Sequence, residues 1–293
     1  MKKFVILSLI FLLSLTSCSN QENAPNTDFI VSSRQNDRYK NVQSAIDAAY
    51  IQGGGLVKIE HGVYRENLHL KNGVDLWGDV GVADTKTCVI QGTHTPPING
   101  SVTIRNIFLS NEKDIIKSEE VGASTIILID CAIEVKDGYT FNLPNWKGAI
   151  VGFDLGEIES TNNGAIYNLK GANVFLTDLT MGSGDKNPMI LSGPTEIFGC
   201  VIKPPVEFQK KASALIGGAS LFQNTLTILD SASVESYGSV IISEKNPGIV
   251  SQSNSKSLFA RTTINSSLGQ PVQQDNEEKL ELLDTLFINK QKE

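Results

Sequence analysis

Histidine is nearly absent from this chain. The 293 residues hold three, His61, His69 and His94, each standing alone, which suggests neither a zinc site nor a histidine base. Charge is sparse as well. Asp, Glu, Lys and Arg make up 19% of the chain and form no long run of one sign, so low-complexity disorder is excluded for the bulk of it. Basic residues are outnumbered by acidic ones, 25 to 32, which argues against a nucleic-acid partner, whose phosphates need a basic face. The same deficit opposes long-range attraction to a polyanionic polysaccharide unless a cation bridges the two; neutral glycans are unaffected. After the leader described next, no apolar stretch reaches the ~18 residues that a membrane helix requires.

What is present begins with that leader. Lys2 and Lys3 form a charged start, and Phe4 to Leu15 form an apolar stretch of the ~7–15 residues typical of an export signal. Leu15-Thr16-Ser17-Cys18 follows and resembles the lipobox of bacterial lipoproteins. That resemblance implies cleavage after residue 17, lipid on Cys18 and a protein held at the cell envelope, at the outer membrane or cell surface. Acyl chains contribute ~0.8 kcal/mol per buried methylene, so a multiply acylated cysteine anchors firmly. Without the leader, 23 basic residues face 32 acidic ones, a net charge of -9. Residues 18–28 read as a polar tether, and 29–293 as a single domain.

Val42, Ala45, Ile46 and Ala49 follow the spacing of a one-sided helix over 41–52, with Asn41 placed to cap it and Gly53 to Gly55 placed to end it. Beyond it come short, β-branched, glycine-bounded segments, the first of them "LVKIEHGVY". A repeat then emerges: an apolar residue, a spacer, Asn or Asp, and an apolar residue three further on. Its anchors are Asn106, Asp130, Asp178, Gly199, Asn224, Arg261 and Asp284, with a degenerate copy at Asp154. The spacing is near 24 residues, and the gap of 37 before Arg261 reads as one coil plus an insertion. A constant period of this length built from short strands marks a solenoid.

The expected fold is therefore all-β, a right-handed parallel β-helix with three strands per coil. Coils stack at ~4.8 Å, and the helix near 41–52 covers the open first coil. Cys131 and Cys200 fall at one inward place in the repeat, three coils and about 14 Å apart, too far for a disulfide. With Cys88 they read as buried thiols.

"NVQSAIDAAYIQGGGLVKIEHGVYRENLHLKNGVDLWGD" (41–79), followed by "CVIQG" (88–92), resembles the opening of pectinesterases and, more broadly, of the pectin lyase-like superfamily. The resemblance covers about residues 38–92. It implies the β-helix and a polysaccharide partner, but enzymes, adhesins and phage tailspikes share this opening, and fold analogy alone does not give function. The catalytic segments of pectinesterases, Gln-Asp-Thr-Leu and Asp-Phe-Ile-Phe-Gly, are missing; Phe153-Asp154-Leu155-Gly156 is the nearest echo. Within "GVYREN", Gly62 is expected to permit a turn, Val63 to point inward and Glu66 to be a surface carboxylate.

Two constellations remain. Asp130, Asp154 and Asp178 are spaced by 24 and 24, which stacks them in adjacent coils about 5 Å apart. Carboxylates that close can divide acid and base roles or hold a calcium ion; they can equally form a ladder of turn residues. Asp154 and Asp130 are the catalytic candidates, with Arg105 and Lys147 as charge partners. No resident cofactor is expected otherwise. In "DGYTFNLPNWKG" (137–148), Tyr139, Phe141 and Trp146 offer a sugar-stacking platform beside the aspartates, or a loop folding its own rings onto the barrel. Two function classes follow: a carbohydrate esterase or polysaccharide lyase with a divergent site, or a non-catalytic β-helix that binds glycan or serves as a structural spike.

Overall fold

A computed structural model describes residues 29–32, 39–79, 87–153, 157–160, 167–169, 171–182, 188–244, 247–252, 255–266, 270–275 and 280–289. The leader, Cys18 and the tether lie outside the described residues, as does Asp154.

The architecture is a parallel β-solenoid. Its strands form three sheets of 12, 11 and 8 strands, here A, B and C, each built from strands of successive coils. Sheet A carries the five-residue strands, such as Val74–Gly78, Ser101–Arg105 and Thr125–Ile129. Alternation in these strands explains both the core and the outer surface. Leu76, Ile104 and Leu128 pair in register and point inward, and each is at most 1% exposed. The intervening residues face out. Where the ladder carries Gly152 between Leu128 and Leu176, or Ser236 beside Phe259, small and large residues alternate, which lets neighbouring coils fill the axis.

The anchor residues have a common backbone reason. Asn106, Asp130, Asp178, Arg261 and Asp284 all have φ between 49° and 54°, and Gly199 has 65°. Each closes a sheet A strand and starts the corner into sheet B. Asn, Asp and Gly accept the left-handed conformation with least strain. Asp130 follows Ile129 and Asp178 follows Thr177; Phe153 pairs with both of those predecessors. The two aspartates therefore occupy the same corner, two coils apart, as their spacing implies.

One anchor is misplaced by the sequence pattern. Asn224 lies on the following corner, between Leu221–Phe222 and Leu226–Ile228. The true corner residues are Gly218 (φ 63°) and Gly238 (φ 68°), so the coils advance from 178 in steps of 21, 19, 20, 23 and 23 residues. No insertion precedes Arg261. At both corners glycine stands where Asn or Asp would mark the repeat, and before the second Ser236 takes an inward position that is elsewhere aliphatic; its hydroxyl donates to Ser239 Oγ at 2.7 Å, which satisfies a polar group that is fully buried.

Helix α1 (Val42–Ile51) covers the first coil with Val42, Ala45, Ile46 and Ala49, all fully buried. Asn41 caps it by accepting from the Ser44 amide at 2.8 Å. Glu66 is more than a surface carboxylate: its two oxygens accept from the amides of Val42 (2.8 Å) and Gln43 (3.0 Å). "GVYREN" thus holds the cap to the coil, with negative charge at a helix N-terminus. Val63 corrects a second expectation. It is 52% exposed, because Tyr64 takes the inward position and donates its hydroxyl to the Glu60 carbonyl at 3.0 Å. Where the chain leaves the helix, Gly54 (φ 113°) has no room for a Cβ, which would collide with the carbonyl of Gly73.

Cys88, Cys131 and Cys200 are buried and unpaired. Burial pushes the thiols up to about 12, 12 and 11 respectively, so the reactive thiolate is scarce at neutral pH. A thiol reagent in excess should leave all three unmodified in the native protein and label all three after denaturation, read by mass. Fast labelling of any of them in the native state would mean that its coil opens.

Candidate functional site

Trp77 ends the alternation of "VDLW". Val74 and Leu76 point inward, so the indole faces out of sheet A and is 40% exposed. Register places Lys58 on one side of it and Arg105 on the other; Ile30 of the edge strand Phe29–Val31 extends the same outward row beyond Lys58. At the adjoining corner, Glu60 follows Ile59 and Asp79 follows Gly78, and Ile59 pairs with Gly78, so these two carboxyl-bearing residues are neighbours in successive coils. Ile30, Lys58, Glu60, Trp77 and Asp79 line an open groove of about 450 Å³.

The indole is held in place from below. With the Asn106 amide oriented to satisfy both neighbours, its oxygen accepts from Trp77 Nε1 at 2.7 Å and its nitrogen donates to Asp130 Oδ2 at 3.2 Å. Arg105 donates to the same Asp130 oxygen at 3.5 Å, and its guanidinium lies 5.3 Å from the Trp77 ring centroid, within cation–π range. One outward position earlier, burial raises the Asp75 carboxyl above its ordinary value, opposed by the hydrogen bond it accepts from the Thr103 amide at 2.7 Å. An exposed aromatic face with a fixed orientation loses little conformational freedom when a ligand stacks on it.

The residues singled out from sequence are distributed differently. Asp130 is a member of this network, tied to Arg105 and Asn106, so its carboxylate acts as a structural acceptor beneath Trp77. Asp178 is exposed on the same corner. Lys147 is exposed. The aromatic platform is corrected at two of its three positions: Phe141 and Trp146 are fully buried in the core and have no ring face open to a sugar. Phe141 points inward from sheet C strand Phe141–Leu143, and Trp146 donates Nε1–H to the Ser124 carbonyl at 3.0 Å. Tyr139 is half-buried, with its amide donating to Asp114 Oδ1 at 2.9 Å. The 137–148 loop occupies the corner from sheet B to C and the return towards A, whereas Asp130 sits at the corner from A to B. They do not form one surface.

Among the described residues, no three His, Cys, Asp or Glu side chains converge in a way that could hold a metal ion. Trp77 was legible in the sequence: a bulky aromatic at an outward position of an alternating strand is the signal.

No protein-family model and no curated protein matches the chain. A solved structure similar to it is the A-module of Azotobacter vinelandii mannuronan C-5 epimerase AlgE4, with 17% identity, a TM-score of 0.42, and coverage of 84% of this chain and 90% of that one. The likeness is one of solenoid architecture.

Proposed function

We propose that this chain is an exported, lipid-anchored β-solenoid that binds polysaccharide on the outer face of its first coils, at Trp77. The observation that carries the reading is the exposed indole above the groove, fixed by Asn106. Sugar rings present apolar C–H faces that stack on indole, while polar groups at the rim fix their orientation. The reading is one of binding, with Asp130 engaged in holding the platform through Arg105 and Asn106.

The chain has two tryptophans, and Trp146 is fully buried, so ligand-dependent quenching of fluorescence reports Trp77. A glycan array followed by titration of the hit should show quenching in the wild type. Measured by calorimetry, because the variant lacks the fluorescent reporter, Trp77→Ala should lose binding by at least about tenfold, in keeping with the 1.4 kcal/mol or more expected of an aromatic anchor that the ligand buries. Product analysis on the same mixtures decides between binding and turnover: any released or modified sugar revives the enzyme reading. A glycan that binds equally to the Trp77→Ala protein would place the site elsewhere.

Lipid attachment at Cys18 is part of the same proposal, supported by the lipobox. Cys18→Ala should leave the precursor unprocessed or move the protein out of the membrane fraction. Normal processing with unchanged membrane association would remove the anchor from the proposal.

A further inference from the structure

We infer that the capped end of the solenoid, at Tyr50 and Ile51, rests on a lipid surface, so that the molecule stands upright on its anchor; the inference rests on the reading of Cys18 as lipidated. Among the described residues, exposed large apolar side chains gather at the two ends of the solenoid. Ile30, Tyr50, Ile51 and Val63 belong to the first coil and its cap, and a second group lies between Leu283 and Ile288 on the last. Ile51 is the most exposed of them, at 83%. It ends α1 on the side opposite Val42, Ala45, Ile46 and Ala49, because 3.6 residues per turn direct it away from the coil that they cover. Tyr50 beside it is 51% exposed, and Lys71 Nζ lies 5.6 Å from its ring centroid.

Chain geometry decides which end can meet a bilayer. Ten residues, Ser19 to Asp28, separate Cys18 from Phe29, a reach of at most about 40 Å. Phe29–Val31 is the outermost strand of sheet A at the capped end. The 12 strands of that sheet put the opposite end roughly 50 Å further away at ~4.8 Å per coil. A solenoid standing on its last coil would need a longer tether than this one. The capped end is within reach.

The side chains suit that place. Tyrosine favours the membrane–water interface, and lysine lays its stem along apolar groups while its ammonium stays in water. Ile51 has no polar side-chain atom to satisfy and gains by leaving water. Asp47, one turn earlier on the same face, accepts from Gln43 Nε2 at 2.9 Å and stays at the level of the headgroups. Two such side chains would hold a free protein on a bilayer only weakly. On a tether the contact becomes intramolecular, at an effective concentration near millimolar, and a weak affinity is enough to set the orientation. An upright solenoid leaves Trp77 and the long face of sheet A open to glycan from the side.

The test uses the full mature chain, acylated at Cys18, in phosphatidylcholine vesicles whose acyl chains carry bromine as a fluorescence quencher. The three native thiols are buried, so an introduced cysteine takes the label. A fluorophore on Gln52→Cys, exposed next to Ile51, should lose emission to the brominated lipid; one on Glu281→Cys, exposed on the last coil, should not. Tyr50→Ser with Ile51→Asp should abolish the quenching at 52 while the protein still floats with the vesicles. Its urea midpoint should not move, which separates a lost contact from a lost fold. No quenching at 52 in protein that floats with the vesicles would overturn the orientation and leave the anchor standing. Quenching at both positions would mean that the solenoid lies on its side, and would overturn it too. Self-quenching between labels at 52, without quenching by lipid, would assign the patch to a second copy of the chain instead. A wild-type chain that does not float with the vesicles would overturn the anchor, and the orientation with it.

Discussion

Trp146→Ala is expected to destabilise the solenoid by about 3–5 kcal/mol, the usual range for removing a large buried aromatic. The ring is fully buried and spans neighbouring coils: its indole N–H donates to the Ser124 carbonyl at 3.0 Å, and its six-membered ring lies where a Cβ on Gly122 would have to be. Truncation leaves a cavity and removes one of the two donors to the Ser124 carbonyl, the other being the Ala149 amide at 3.3 Å. Gly122→Ala attacks the same contact from the other side and should be comparably damaging, because a rigid ring held by a hydrogen bond cannot yield. Trp146→Phe keeps part of the volume and loses the N–H, so an intermediate loss is expected. Urea midpoints for the three variants check this. A Trp146→Ala protein with wild-type stability but no glycan binding would restore the stacking role that the sequence suggested for this residue.

That outcome matters because it separates two ways in which an aromatic cluster can be read. Density of aromatics in 137–148 says nothing about which way each ring points. Direction comes from the period-2 alternation of the neighbouring strand, and only where the strand's register is known. In "VDLWG" the alternation is unbroken, so Trp77 is outward by inspection. In "DGYTFNLPNWKG" a turn follows three strand residues, and Trp146 folds back under the coil through a contact with Gly122, 24 residues earlier. Such a contact has no local signature.

The solenoid itself was legible because two independent constraints repeat together. The corner requires a left-handed residue, which selects Asn, Asp or Gly, and the flanking strands require inward aliphatics. Where both hold, as around Asn106, Asp130 and Asp178, the coil can be read off directly. Where one lapses, the register slips. Gly218 replaces the amide or carboxylate, and the reading passes to Asn224, one corner on; at Gly238 the corner is hidden further because Ser236 replaces the aliphatic residue before it. Glu66 shows the converse. Its residue type suited a surface position, and its role as a helix acceptor followed only once α1 was placed against the first coil.

His94 should make the fold acid-sensitive, and the sign of the effect is determined by its environment. The residue is 1% exposed. Its Nδ1 accepts from the Leu68 amide at 3.2 Å, which puts the neutral ring's proton on Nε2, and Nε2 has no partner among the described residues. Burial lowers its pKa from 6.5 to about 4, since a charged ring there would lose its hydration with nothing to replace it. Between those values the unfolded chain binds a proton that the folded chain refuses, so stability falls as pH drops from about 6.5 towards 4 and levels off below. At pH 4.5 the loss attributable to this one group is on the order of 2–3 kcal/mol. His94→Asn keeps an acceptor for Leu68 and removes the titration. Carboxylates contribute their own pH dependence to both proteins, so the quantity to measure is the difference between wild type and variant in unfolding free energy at pH 7 and pH 4.5. The variant should lose less on acidification by about the amount above. Parallel curves would mean that the His94 ring already reaches water, and that the coil joining Leu68 to Ile115 is open on that side.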